Sequence, residues 1–153
     1  MTIRAARPDE APLLTAIALE AKRHWGYSEH WMQKWTETLT ITSEYIGRHS
    51  VQVAELENRI VGFNGLQVVN DTAVLDHLWV LPEMMGHSIG RALFLQAEDA
   101  ARTAAAKLLK ITADPHAEEF YRKMGAVTVG REPASLDGQE RFLPLMEKPL
   151  LHP

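Results

Sequence analysis

VLDHLWVLPEMMGHSIGRALFLQAEDAA, residues 74–101, contains the features that decide the fold. Its first part is short, apolar and β-branched at both ends, and it stops at Pro82, which is typical of a strand. Its last part has apolar residues at helical spacing and predicts an amphipathic helix with one buried face: Ile89, Leu93, Ala97 and Ala101. The loop between them contains Gly86, Ser88 and Gly90. A strand, a glycine-containing loop and a helix start leave several backbone N–H groups without partners, which predicts an anion site.

Length and composition indicate one soluble globular domain over residues 1–153. The chain is 46% hydrophobic and 24% charged, and 153 residues bury a sizeable core without disulfides. Its net charge is -4, and its basic residues are scattered rather than clustered. Neutralising phosphates needs clustered Lys and Arg, so we expect no nucleic-acid partner.

The absence of cysteine excludes disulfides, thiol catalysis and cysteine-ligated metal, and it fits a reducing compartment. The seven histidines have no metal-ligand spacing, so no metal is expected. The first residues lack an apolar signal core, and no run approaches about 18 apolar residues. We therefore expect a cytoplasmic protein with no membrane span.

The first half of the chain predicts one strand, Thr2–Arg7, followed by helices. Asp9 is expected to cap a helix that ends near Arg23, with a buried stripe formed by Leu13, Leu14, Ile17, Ala18 and Ala21. Gly26 breaks this helix, and Ser28 is expected to cap a second one. The second helix and a short third one are predicted at Glu29–Thr38 and Ser43–Arg48.

The second half predicts three antiparallel strands before the glycine loop: Val51–Glu57, Ile60–Val69 and Thr72–Leu81. After the long helix come a strand, a helix closed by Gly125 and two further strands: Leu108–Thr112, His116–Met124, Ala126–Arg131 and Arg141–Lys148. The tail L-L-H-P is expected to be loose. The order β-α-α-β-β-β-α-β-α-β-β predicts an α/β protein with a mixed sheet, helices on both faces, and parallel pairing of Thr72–Leu81 with Leu108–Thr112.

Three anions could suit the glycine loop. A dinucleotide site requires G-x-G-x-x-G at the first turn of a parallel sheet, and here three antiparallel strands come first. A P-loop requires G-x-x-x-x-G-K-[ST], whereas Gly86 and Gly90 are one residue too close and Arg91-Ala92 follows them. Both of these patterns fail.

The third candidate rests on a resemblance. The pattern V-x-P-E-x-x-G-x-x-I-G-R-A-L-F resembles motif A of the GNAT N-acetyltransferase superfamily, and D-P-H-A-E-E-F-Y-R-K-M-G-A resembles its motif B. The order of elements also matches, so the resemblance covers residues 3–150. It implies the GNAT fold with a central splayed sheet, acetyl-CoA as co-substrate and transfer of an acetyl group to an amine.

The resemblance implies that the loop and helix start hold the pyrophosphate of acetyl-CoA. The residues concerned are Gly86, His87, Ser88, Ile89, Gly90 and Arg91. Met85 stands where the family usually has Gln or Arg, and Ser88 where it usually has a middle Gly. In motif B, His116 occupies the position at which Asn commonly binds the CoA arm.

The resemblance also implies roles in catalysis. The pantetheine arm would pair with the backbone of Leu78 and Val80, one of whose N–H groups would polarise the thioester carbonyl. Tyr121 matches the tyrosine that protonates the departing thiolate. Because side chains alternate along a strand, Asp76 is expected to share a face with Val74, Leu78 and Val80. Asp76 is then the first candidate for general base, the neighbouring His77 on the opposite face is the second, and His24 and Glu29 are weaker ones.

The acceptor is the least defined part of the prediction. Trp25, Tyr27 and Trp31 could form an aromatic wall for it, and the acidic balance favours a small cationic or aromatic amine; equally, with Trp35, they could fill the core or a dimer contact. A protein N-terminus or lysine is an alternative acceptor. A non-catalytic acyl-CoA-binding or regulatory module is an alternative function, which Met85 and Ser88 favour. A homodimer through the C-terminal strands or the Trp-rich helices is plausible.

Overall fold

A mixed sheet of seven strands forms the centre of the protein, whose structure, a computed structural model, describes residues 1–150. The strands are β1 (Thr2–Ala5), β2 (Ser50–Leu56), β3 (Arg59–Val69), β4 (Thr72–Val80), β5 (Leu108–Thr112), β6 (Val127–Pro133) and β7 (Phe142–Pro149). Their order in the sheet is β1-β2-β3-β4-β5-β7-β6, with β4 and β5 parallel and the other neighbours antiparallel. The predicted class, mixed sheet and parallel pair are confirmed.

The helices lie between these strands in nearly the predicted order. They are α1 (Ala11–Arg23), α2 (Glu29–Lys34), α3 (Thr36–Leu39), α4 (Ser43–Arg48), α5 (Ile89–Thr103) and α6 (Glu118–Lys123). The predicted helix Glu29–Thr38 is divided at Trp35 (φ -96°, ψ 0°), which caps the end of α2 and the start of α3. The predicted helix His116–Met124 begins instead as a 3₁₀ turn, Pro115–Ala117, which the Asp114 side chain caps through the His116 N–H at 2.9 Å.

The start of α1 differs from the prediction. β1 ends at Ala5, and a 3₁₀ turn at Pro8–Glu10 precedes the helix, so Asp9 does not cap it. Glu10 takes that role for the turn, because its carboxylate accepts the Arg7 N–H at 2.7 Å and the Arg4 guanidinium at 2.7 Å. The Arg4 hydrogen bonds outweigh burial and lower the pKa of Glu10 to about 2.

Two residues near the chain ends also depart from expectation. Leu13 is 47% exposed, and Ala11 takes its place in the buried stripe of α1. Leu150, predicted as part of a loose tail, is buried, and its N–H donates to the Lys107 carbonyl at 2.8 Å. The rest of that predicted tail, 151–153, lies outside the described residues.

Two hydrophobic clusters fill the core, and Leu78 of β4 packs against both. One cluster joins α1 to β2, β3 and the start of α5. The other joins the rest of α5 to β5, α6 and Met146 of β7. Buried Glu98 ties α5 to the same side of the sheet by accepting Lys148 of β7 at 2.9 Å. Both clusters therefore hold α5 firmly beneath the outer half of β4.

Candidate active site

A cleft opens where β4 and β5 separate. The two strands pair over Thr72–Val74 and Leu108–Lys110 and then diverge, leaving a cavity of about 410 Å³. Its wall contains every residue that the sequence analysis assigned to the cofactor site except His87, together with Asp76, Tyr121 and Trp25. The other base and acceptor candidates lie outside it: His24, Tyr27, Glu29, Trp31 and His77. The predicted splay is therefore present, and it gathers residues from β4, the glycine loop, α5, β5 and α6.

The outer part of β4 presents backbone donors to this cleft. The Leu81 N–H donates to the Val61 carbonyl of β3 at 2.9 Å. Successive peptide groups of a strand point to opposite sides, so the N–H groups of Leu78 and Val80 point away from β3 and toward the gap. Within residues 1–150, no strand pairs with this edge beyond Val74. The cleft thus has a free sheet edge inside it.

A β-bulge at Asp76 changes which β4 side chains share a face. Between two successive residues of β3, the pairing in β4 skips one residue, which leaves Asp76 as the extra one. An extra residue restarts the alternation of side chains. Leu78 and Val80 therefore lie on the opposite face of the sheet from Val74. The prediction that all four residues, including Asp76, share one face is wrong.

Asp76 and His77 both lie against α4 as a result. The Tyr45 hydroxyl donates to Asp76 Oδ2 at 2.6 Å, and the Gln67 amide donates to the same oxygen at 2.7 Å. The Tyr45 ring also meets the His77 ring edge-on, with centroids 5.7 Å apart. The prediction that Asp76 and His77 point to opposite faces is therefore wrong.

The surroundings of Asp76 leave it one open oxygen. Burial, reinforced by the charge of Asp76, raises the pKa of the Tyr45 hydroxyl, so Tyr45 stays a donor. Burial lowers the pKa of His77 against the opposing effect of Asp76, and His77 Nδ1 accepts a hydrogen bond from Trp79 at 3.2 Å. No described residue donates to Asp76 Oδ1. The carboxylate is thus fixed through one oxygen and can accept a proton at the other.

The glycine loop ends in an uncapped helix start. Gly86 (φ +82°) and Ser88 (φ +64°) both adopt left-handed backbone conformations, and Ser88 occupies the N-cap of α5 without a side-chain hydrogen bond. The N–H of Ala92 makes the first bond of the helix, to the Ser88 carbonyl at 3.1 Å. The N–H groups before it, from Ile89 to Arg91, have no described acceptor, as an anion site requires.

The side chains around these amides differ in whether they already have hydrogen-bond partners. His87 folds back on the loop, and its Nδ1 donates to the carbonyls of Met84 at 3.2 Å and Met85 at 3.1 Å. Arg91 is exposed and has no hydrogen bond or ion pair within the described chain. A Cβ on Gly90 would lie 3.5 Å from the Phe120 ring, which is an ordinary van der Waals distance. A methyl group at this position would therefore occupy space within the cleft.

Tyr121 reaches the cleft from α6. It is 7% exposed and packs between Phe94 and Phe120, with ring centroids 6.0 and 5.2 Å away. No residue in the described range bonds its hydroxyl, which lies at the cleft wall. Burial, with a smaller effect of the Asp114 charge, raises the pKa of this phenol. The hydroxyl therefore keeps its proton at neutral pH and is free to donate it.

Asp114 connects the end of β5 to α1 and to His116. The Lys22 ammonium pairs with Oδ2, and the Tyr27 hydroxyl donates to the same oxygen at 3.1 Å. His116 Nδ1 lies 2.9 Å from Oδ1. Burial opposes the charge of Asp114, but Lys22 and these donors outweigh it and lower the pKa of the carboxyl. An ionised carboxylate only accepts hydrogen bonds, so Nδ1 of His116 carries a proton and donates it to Asp114.

The aromatic cluster behind this network holds cations of the protein itself. Lys22 Nζ lies 4.4 Å from the Trp35 ring centroid, and the Arg141 guanidinium lies 5.1 to 5.5 Å from the rings of Tyr27, Trp31 and Trp35. These cations occupy the rings that were expected to receive a cationic acceptor. Tyr27 and Trp31 therefore pack behind the cleft wall.

Trp25 is the aromatic residue of this segment that lines the cleft. Its ring stacks on His116 with centroids 4.9 Å apart and planes at 5°. His24 meets Trp25 edge-on, and Glu29 pairs with Arg23 at 2.7 Å. Neither weaker base candidate lines the cleft.

Sequence reasoning missed Tyr45, Asp114 as a hub and Arg141. Tyr45 and Arg141 act through contacts with residues 31 and more than 100 positions away, respectively, which no local pattern signals. Asp114 was given no role in the site, although its position beside Pro115 is typical of a capping residue. Within residues 1–150 no group of three metal-ligating side chains forms, and no helix there is long and apolar enough to span a membrane.

A splayed parallel pair with a free internal edge and an uncapped helix start defines a protein that holds an extended, anionic ligand. The chain belongs to the acetyltransferase (GNAT) family, which residues 14–126 match, and is by class a GNAT-type N-acetyltransferase. No curated protein matches it in sequence at a significant level.

Solved structures show the same fold. A GCN5-related N-acetyltransferase from Rhodopseudomonas palustris is 25% identical, with a TM-score of 0.80 over 97% of this chain and 95% of that one. PaiA N-acetyltransferase from Thermoplasma acidophilum, in complex with coenzyme A, is 22% identical, with a TM-score of 0.76 over 97% and 98%. The ribosomal-protein-S18-alanine N-acetyltransferase from Escherichia coli is 19% identical, with a TM-score of 0.74 over 99% and 95%.

Proposed function

We propose that this protein uses acetyl-CoA as co-substrate and transfers the acetyl group directly to the primary amine of a small molecule. One observation carries the proposal: the free N–H groups of Leu78 and Val80 lie in a cleft that also contains the uncapped start of α5 and the unbonded hydroxyl of Tyr121. Together these groups supply anchoring, alignment and acid catalysis for acyl transfer.

The glycine loop anchors the pyrophosphate. Its amides from Gly86 to Arg91 and the positive end of α5 suit a multi-oxygen anion. Two side chains add to this: the Ser88 hydroxyl, which makes no cap, and the Arg91 guanidinium, which has no partner in the described chain. Met85 lacks the charge that the family usually places here, so Arg91 supplies the positive side chain.

The β4 edge aligns the reactants. An extended pantetheine arm pairs with Leu78 and Val80 as an additional strand would, and an N–H from this edge polarises the thioester carbonyl. The N–H is fixed by the sheet and needs no reorganisation as negative charge develops on the carbonyl oxygen. Acetyl-CoA supplies an acyl group that is activated by its sulfur leaving group.

Tyr121 and Asp76 move the protons. The amine nitrogen forms a bond to the acyl carbon as the carbon–sulfur bond breaks, the amine loses one proton and the sulfur gains one. Tyr121 donates to the sulfur, which its unbonded hydroxyl at the cleft wall supports. Asp76 accepts the amine proton at Oδ1 while Tyr45 and Gln67 hold Oδ2.

His116 meets the cofactor differently from an asparagine. Because Asp114 holds its Nδ1–H, Nε2 is the ring nitrogen left for the cofactor. An asparagine amide offers both a donor and an acceptor to the pantetheine arm, whereas His116 offers this one nitrogen.

Release of free thiol from acetyl-CoA across a panel of small amines and peptide N-termini tests the proposal. Turnover with small amines is expected, and turnover with peptides alone would overturn the small-molecule acceptor. Coenzyme A binding without turnover on any acceptor would support a non-catalytic acyl-CoA module instead.

The same assay tests Asp76. Asp76→Asn keeps the hydrogen-bonding shape but removes the base, so turnover at neutral pH should fall by about 10²-fold or more. Unchanged turnover would remove Asp76 from the mechanism.

A further inference from the structure

The arginines of this protein divide sharply by their partners. Of the ten arginines in the chain, eight form an ion pair with a carboxylate. Arg91 and Arg141 form none within the described residues. Arg91 lies exposed beside the anion-binding loop, which explains its free state. Arg141 lies elsewhere and needs a separate explanation.

Arg141 is held in place by aromatic rings rather than by charge. Its guanidinium carbon lies 5.5, 5.3 and 5.1 Å from the ring centroids of Tyr27, Trp31 and Trp35. Its one side-chain hydrogen bond, from Nη2 to the Tyr27 hydroxyl, is long at 3.5 Å. Most of the five N–H donors of this half-buried group are therefore unused, although ring contacts restrict its orientation.

The acidic groups near Arg141 do not neutralise it. Asp137, in the same loop between β6 and β7, accepts the Trp31 indole N–H at 2.8 Å and pairs with Lys34 at 2.9 Å. Glu140, the preceding residue, forms no ion pair with it. A partly desolvated cation without a counter-charge is costly, and a fixed, unused guanidinium fork matches a carboxylate bidentately.

The position of Arg141 connects it to the cleft through one side chain. The Tyr27 hydroxyl that accepts from Arg141 also lies 3.1 Å from His116 Nδ1 and 3.1 Å from Asp114 Oδ2. Asp114 and His116 line the cleft wall. Arg141 is therefore separated from two cleft-lining residues by a single side chain, that of Tyr27.

We propose that the acceptor is an amino-carboxylate, such as an amino acid, whose carboxylate binds Arg141 while its amine lies in the cleft. The proposal rests on the proposed acetyl transfer and specifies its acceptor. The aromatic cluster then orients a protein cation for an anionic group, instead of receiving a cationic substrate. Asp137 fixes the loop that carries Arg141 to α2 and so keeps the guanidinium in place.

Matched acceptors test the proposal. The protein amino acids with neutral side chains are each compared with their carboxamides, and kcat/KM is expressed per neutral amine because amidation also makes the α-amine less basic. In the wild type, kcat/KM should favour the amino acid by about tenfold to a hundredfold. Arg141→Gln should remove this preference by raising KM for the amino acid, with kcat little changed. Arg141→Lys should restore part of it, because the charge remains and the fork is lost.

Two controls separate recognition from folding. Activity on the carboxamides reports the integrity of the site and should survive Arg141→Gln. Arg131→Gln removes a charge from β6 on the side facing Glu118 and should leave the preference intact. Equal activity on both members of each pair in the wild type, or an equal loss on both in Arg141→Gln, would overturn the proposal. Acetylation confined to amines without a carboxylate would overturn it while leaving the acetyltransferase function standing.

A binding measurement covers the case in which no acceptor is turned over, which would overturn the proposed function. Calorimetric titration of N-acetyl amino acids and their amides, with coenzyme A present, reports the carboxylate site without chemistry. Binding of the acids that is lost in Arg141→Gln but kept in Arg131→Gln would support the carboxylate site. Equal binding of acids and amides would overturn it.

Discussion

The two sides of the cleft are built on opposite principles. On the loop side, the backbone N–H groups from Ile89 to Arg91 at the start of α5 have no described hydrogen-bond acceptor, and this end of the helix is open to solvent. On the opposite side, Asp114 binds Lys22, Tyr27 and His116, and the Lys22–Asp114 pair is largely buried. Free donors in contact with water cost little, whereas buried charges must be paired. The loop side therefore has free donors for an anion, whereas on the Asp114 side the polar groups already bind one another.

This difference predicts that the two sides fail in different ways. Substitutions on the loop side should change ligand affinity and leave the fold intact. Substitutions at Asp114 should change stability first, because they leave a buried partner without its counter-charge.

Tyr121→Phe should have the largest effect on turnover. It lies between the two sides and touches neither, so kcat should fall by about 10²- to 10⁴-fold with coenzyme A affinity and thermal stability nearly unchanged. Thiol release and calorimetry measure the two quantities. A parallel loss of coenzyme A affinity would show that the hydroxyl serves binding, and unchanged turnover would exclude it from proton transfer.

Asp114→Asn should have the largest effect on stability. Asn keeps the cap on His116 but leaves Lys22 without its counter-charge, which should cost about 3 kcal/mol in the free energy of unfolding. Chemical denaturation measures it. Lys22→Met should also destabilise, and the double variant should recover part of the loss if the pair is coupled.

The same pair predicts a pH dependence of stability. The folded pKa of Asp114 is lowered, so its contribution is complete above the unfolded value of about 4 and is lost as pH falls toward the folded pKa. The wild type should therefore lose its advantage over Asp114→Asn in acid. A constant difference between the two proteins from neutral pH to pH 2 would contradict this assignment.

Gly90→Ala should have the smallest effect, and it should raise stability while lowering the affinity for coenzyme A. A Cβ there meets nothing closer than 3.5 Å, and Ala favours the helix, so stability should rise by up to about 1 kcal/mol. The same methyl group enters the cleft and should weaken coenzyme A binding by about tenfold, because it displaces close backbone contact. Gly86→Ala is the matched control: it has open space but a φ of +82°, so it should strain the loop and lower stability. Loss of stability in Gly90→Ala would contradict the prediction that substitutions on the loop side leave the fold intact.

Much of the fold follows from local patterns in the sequence. α4 and β5 have the predicted bounds, and the turn before β3 contains Glu57 and Asn58 with positive φ, as a tight hairpin requires. These features depend on caps, periodicity and turn residues that lie within a few positions of one another. The glycine loop follows from a local pattern, whereas its expected ligand and the role of Tyr121 come from the family resemblance, which supplies information that local patterns lack.

The rest depends on contacts that local patterns do not encode. The bulge at Asp76 has no glycine or proline to mark it, and its effect on β4 follows from pairing with β3. The Asp114 network joins positions 92 apart, and the environment of Arg141 joins α2 to the start of β7. From sequence alone, an aromatic cluster that would bind a cationic ligand looks the same as one that already contacts a cation of the protein.

The free edge within the sheet has a consequence for mutagenesis. β1 and β6 are the outer edges of the sheet, and the outer part of β4 is a third edge that faces inward. Its donors belong to the main chain, so shortening the side chains of Leu78 and Val80 leaves both N–H groups in place. An alanine scan would therefore pass over the residues that align the substrate. Proline, which alone among the amino acids has no N–H to offer, is the substitution that exposes them.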